Sequence, residues 1–111
     1  MNQEDLIGIT ALLVHVARID ENYTAKEQEI IKKFINSFST KTETVERTLQ
    51  QAETLEANSI QLLGFTNKVK EQSLDIKKEI IGTLKNYLNI KTNEFKAPYG
   101  INVYTLVTKE L

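Results

Sequence analysis

A chain of 111 residues, 41% of them apolar and 26% charged, has material for one core and one domain, near the small end of what folds unaided. No cysteine is present, which excludes a disulfide framework, a thiolate zinc site and a cysteine nucleophile. The formal net charge of −1 argues against a general electrostatic grip on nucleic acid or an anionic membrane, although residues 1–60 carry ten acidic and six basic side chains and residues 61–111 five acidic and eight basic. That polarity leaves room for association of two copies head to tail.

The first helix is expected over about Glu4 to Ile19. Leu6, Ile7, Ile9, Leu12, Leu13, Val14, Val16, Ala17 and Ile19 cover nearly its whole circumference, so other helices must surround it. The stretch has the length of a signal-peptide core but lacks a basic flank and a small-x-small cleavage site. It is also shorter than the roughly 20 apolar residues that cross a bilayer, and His15 and Arg18 interrupt it. A core helix without a transmembrane role and a cytoplasmic location are the expectations.

Thr24-Ala25-Lys26-Glu27 is a capping-box sequence. The threonine hydroxyl accepts from the backbone N–H of the glutamate, and the glutamate reaches back to the threonine N–H. Helix two starts there, with Ile30, Ile31, Phe34, Ile35 and Phe38 on one face. Thr40-Lys41-Thr42-Glu43 repeats the signature for a third helix over about residues 41–56. Its stripe of Val45, Leu49, Ala52 and Leu55 is thin, so it is expected to be peripheral and well solvated.

Asn58 or Ser59 is expected to cap a fourth helix, with Leu62, Leu63, Phe65, Thr66 and Val69 inward and Gly64 permitting a close backbone approach. Ser73 or Asp75 opens a fifth, whose Ile76, Ile80, Ile81, Leu84, Tyr87 and Leu88 share a face. Periodicity stops after Ile90, and the segment from Lys91 to Gly100 holds the only proline, Pro98, and reads as a loop. The fold class is therefore all-α: a single-domain bundle of about five helices over residues 1–90, with an irregular segment over 91–111 packed on it. Ile101 to Val107 has strand-like composition but no partner strand, so a short terminal helix or an extended tail is expected.

Two carboxylates, Asp20 and Glu27, flank the corner between the first two helices. Calcium takes six to eight oxygen ligands, and this corner, helped by Glu21, Asn22 and loop carbonyls, offers about half of them. The Asp-x6-Glu spacing is not that of an EF-hand loop. The structural reading needs no metal, because Glu27 fits the third position of a capping box and Asp20 can satisfy loop N–H groups.

His15 has no second histidine, cysteine or serine elbow to work with, and reads as a packed or partly exposed core histidine. Its i, i+5 spacing from Asp20 disfavours a catalytic dyad. Lys68, Lys70, Lys77, Lys78 and Lys85 form a basic side that reads as a solvated face rather than a nucleic-acid site, since no aromatic residues interleave with it. No phosphate loop or catalytic signature occurs, so no enzyme is expected.

The run ALLVHVARID followed by ENYTAKEQEII resembles the tellurite-resistance TerB-like domain, which also forms the N-terminal domain of DjlA-type co-chaperones. The family's apolar helix ends in Ala-x-x-Asp-Gly, and a glutamate follows seven residues after the aspartate. Ala17, Asp20 and Glu27 match, while Glu21 replaces the glycine, which is expected to change the turn and keep the acidic pair. Leu62 to Val69 and Ile76 to Leu88 are similar to later helices of the family, so the resemblance covers roughly residues 6–88. It implies a non-enzymatic module of bacterial stress response or protein association, with a weak divalent-cation site at Asp20 and Glu27. The family's second half usually repeats the acidic pair, but Lys91 and Pro98 stand at the corresponding positions here. A scaffold without metal, pairing with itself or a protein partner through Phe95 to Val107, is the alternative.

Overall fold

The apolar circumference of the first helix decides the architecture. The computed structural model describes residues 1–18, 21–39, 41–58 and 63–95, and of residues 42, 63, 65, 66 and 87–95 only the backbone. Five helices appear among them and no strand: α1 (Gln3–Arg18), α2 (Ala25–Asn36), α3 (Thr42–Asn58), α4 (Leu63–Lys70) and α5 (Leu74–Phe95). Leu6, Ile9, Leu12, Leu13, Val14, Val16 and Ala17 are all buried, and α2, α3, α4 and α5 all pack against α1. The central rod expected from the sequence is the centre of the core.

The third helix is well solvated, as expected, but its inward face is broader than its apolar stripe. Most of its described side chains are exposed, yet α3 makes the most extensive contact with α1 and also packs on α2. Val45, Leu49 and Ala52 are buried as the stripe requires, but Leu55 is 39% exposed. Fully buried Thr48 extends the inward face, and it can do so because its Oγ1 accepts from Gln3 Nε2 at 2.9 Å. Across the α2–α3 contact Lys32 meets Glu46 at 3.0 Å, and that carboxylate holds the ammonium above the usual lysine range.

The helix boundaries follow local chemistry. Ser73 caps α5, with Oγ accepting from Ile76 N at 3.4 Å. Asn58, expected to cap α4, is instead the last residue of α3. The carbonyl of Lys41 accepts from Val45 N at 3.0 Å at the start of α3. Helix α5 does not stop at Ile90 but runs to Phe95, because residues 91–95 contain no breaker and the constraint from Pro98 reaches back only one residue. Ile19, Thr40, Ser59, Leu62 and residues 96–111, and the side chains of Leu63, Phe65, Thr66, Tyr87 and Leu88, lie outside the described residues.

The close approach expected at Gly64 occurs at another glycine. A Cβ built at Gly64 meets no described atom within 4 Å, whereas one at Gly8 would run into the aliphatic stem of Lys68. That stem crosses α1 so that its ammonium reaches Asp5 Oδ1 at 3.3 Å, and Gln72 Nε2 donates to Asp5 Oδ2 at 3.4 Å. Gly8 therefore lets α4 lie close on α1, and Val69, fully buried, completes the contact.

Candidate functional site

The corner between α1 and α2 is built from the inside outward. Thr24 has extended backbone (φ −91°, ψ 163°), and both halves of the capping box are formed. Thr24 Oγ1 accepts from Glu27 N at 3.2 Å, and Glu27 Oε1 accepts from Thr24 N at 3.0 Å and from Thr24 Oγ1 at 3.2 Å. Glu27 is fully buried, unusual for a charged residue and a position it holds on account of these bonds. Asp20, the other half of the expected pair, lies outside the described residues.

One residue of the connection carries a conformational cost. Glu21 has φ 61°, in the left-handed region, and its N–H donates to the Arg18 carbonyl at 2.9 Å. The glutamate adopts the geometry that glycine favours, at a cost of roughly 1–2 kcal/mol.

Helix α3 supplies two further carboxylates that the sequence reading did not single out. Glu56 Oε2 accepts from Arg18 Nη1 at 2.8 Å, and Glu56 Oε1 lies 3.4 Å from His15 Nδ1. The guanidinium of Arg18 also stacks over the Tyr23 ring, 5.2 Å from its centroid. Glu53 accepts from Gln28 Nε2 at 3.3 Å. Burial and then the facing Glu53 carboxylate push the Tyr23 phenol above its ordinary range. Residues from α1, α2 and α3 are thus tied together by groups that largely serve one another.

His15 is partly exposed, with its side chain 39% accessible, and faces Glu56 rather than a nucleophile. Among the described residues no group of three or more His, Asp or Glu side chains is close enough together to hold a metal ion. Glu27 is a hard oxygen donor of the right kind, but the described residues offer no coordination shell around it. The basic side of the molecule divides in two: Lys68 is engaged by Asp5, while Lys78 and Lys85 line a trough between α2 and α5 together with Lys33. A shallower groove between α1 and α3 is flanked by Ile7, Thr54 and the exposed Leu55.

An apolar central helix that passes through a short turn into a second helix opened by a buried, box-forming glutamate defines a class of small all-α modules. The chain belongs to the TerB family, since the model of that family, described as tellurite resistance protein TerB, matches residues 6–95. No curated protein and no solved structure gives a significant match. No helix among the described residues is long and apolar enough to cross a membrane.

Proposed function

We propose that this chain is a non-enzymatic TerB-like module of the bacterial cytoplasm that works in stress response by associating with another protein. The observation that carries this reading is the mutual commitment of the corner's polar groups. Thr24 and Glu27 bond each other, Arg18 and His15 meet on Glu56, and Gln28 donates to Glu53. Such an arrangement fixes helices relative to one another and supports a scaffold more readily than a reacting centre, which needs a nucleophile or base aimed at open space. Cross-linking of the chain inside bacterial cells tests the association: adducts heavier than one chain are expected, and recovery of the single chain alone contradicts the reading.

A second reading adds a weak divalent-cation site formed by Asp20 and Glu27, the pair that the TerB resemblance implies. What supports it is the chemistry of Glu27, a hard oxygen donor standing beside the α1–α2 connection at the start of α2. Calorimetric titration of calcium, magnesium and manganese into the parent chain and Glu27→Gln separates the readings. Glutamine keeps a capping-box acceptor but is a poor ligand, so heat that disappears in the variant supports the cation. Absence of heat from the parent, or equal heats from both, leaves the metal-free scaffold.

A further inference from the structure

The surface between α2 and α5 differs in kind from the corner. A trough of about 630 Å³ runs between the two helices. Ile30 and the buried ring of Phe34 contribute its apolar side from α2. On α5, Lys78, Gly82 and Lys85 stand at i, i+4 and i+7 and therefore form one row, a lysine about one turn to either side of the glycine. Lys33 faces them from α2, and among the described residues Glu79 is the single carboxylate on the lining. None of these three lysines forms a salt bridge among the described residues, in contrast to Lys32 and Lys68.

Gly82 adds an independent observation. A glycine inside a helix costs stability relative to alanine, and such a residue commonly marks a place where another backbone comes close. Here no described atom lies within 4 Å of where its Cβ would stand, so the described fold does not use the space. The bare backbone opens onto the trough, between two ammonium groups.

We infer that the α2–α5 trough is a docking site for an acidic amphipathic helix of a partner protein, whose apolar stripe lies on Ile30, Phe34 and Gly82 and whose carboxylates meet Lys33, Lys78 and Lys85. Charge complementarity selects this occupant: among the described residues the lining carries three positive groups against one negative, around a small apolar strip of Ile30, the edge of the nearly covered Phe34 and the bare backbone of Gly82. The glycine lets that helix approach without a side chain in between. Lys33 contributes from across the trough, so both helices of the module hold the ligand. This inference rests on the association reading and names its face and the chemistry of its partner.

The test uses the full chain and a fluorescently labelled amphipathic peptide of alanine, leucine and glutamate, with a glutamine-for-glutamate peptide as control. Anisotropy is expected to rise on adding the chain to the acidic peptide, to weaken with added salt, and to fall about tenfold in apparent affinity with the Lys78→Glu/Lys85→Glu pair. Gly82→Leu, which fills the floor and leaves the charges, is expected to weaken binding by a similar factor. A thermal melt and a circular dichroism spectrum show that each variant is folded. Equal binding by parent and both variants overturns the inference, as does equal binding of the control peptide or stronger binding of a labelled oligonucleotide. A parent chain whose own mass doubles with concentration, and stops doing so in the lysine variant, assigns the trough to a second copy and also overturns it. If cellular cross-links persist while the peptide tests fail, the face is wrong and the association stands; if the cross-links are absent, the association itself falls.

Discussion

Helix α2 takes part in two regions that treat charge in opposite ways. At its N-terminus, Glu27 is withdrawn from solvent and bonded to Thr24, and the neighbouring α1 and α3 bring Arg18, His15 and Glu56 into contact with one another. One to two turns further along, Lys33 looks across an open trough at Lys78 and Lys85 with no ion pair among the described residues. The first region spends its polar groups on holding the fold: Glu27 is fully buried with its Thr24 bonds, and Glu56, largely covered, joins the partly exposed Arg18 and His15 to α3. The second asks nothing of the fold, because exposed lysines contribute little to stability. Groups that the fold does not use are free to be selected for binding, and the contrast between these two regions locates where to look.

The largest effect should come from the rod on which both regions depend. Leu13→Ala opens a cavity at a fully buried position of α1 and is expected to cost about 2–5 kcal/mol, read from urea unfolding. Next, a matched pair of substitutions tests the contrast directly. Glu56→Ala should destabilise by about 0.5–1 kcal/mol, because the partly exposed Arg18 loses the carboxylate it meets at 2.8 Å and water replaces it only in part. Lys78→Glu should stay within about 0.5 kcal/mol of the parent. Equal losses from the two would erase the distinction between a committed corner and an uncommitted trough.

Effects of similar or smaller size sharpen the corner. Glu21→Gly relieves a left-handed residue and should raise stability by about 1 kcal/mol in the same unfolding experiment. A loss there would mean that the glutamate side chain does more than occupy a turn. For Tyr23, burial and Glu53 raise the phenol in the folded state above its ordinary value of 10.0. Above that pH the unfolded chain loses this proton more readily than the folded one, so the parent should lose stability as pH rises beyond it, and Tyr23→Phe should show a flatter alkaline decline. Identical alkaline profiles would contradict the environment described for the ring.

Much of this molecule was legible as local pattern. Thr24 and Glu27 sit three residues apart, so their box is a statement about adjacent sequence, and it forms as written. The uniform apolar surface of α1 likewise announces a central helix without reference to the rest of the chain. What eluded the sequence is long-range. Glu56 lies 38 residues from Arg18, and nothing near either residue says that they meet.

The inward face of helix α3 is only partly legible, because Thr48 counts as polar in a hydrophobic pattern although a hydrogen bond from Gln3 satisfies it when buried. Gly64 and Gly8 look alike in sequence, and only the path of the Lys68 stem shows which one is crowded. The end of α5 was placed early by giving Pro98 more reach than one preceding residue.

Backbone amide shift mapping during titration of the full chain with the acidic helical peptide tests the central claim most directly, since it reads both regions of α2 in one experiment. The account predicts shifts concentrated at Lys33, Phe34, Lys78, Gly82 and Lys85, with Thr24, Glu27 and Glu56 unmoved. Shifts concentrated at the corner, with the trough silent, would contradict it.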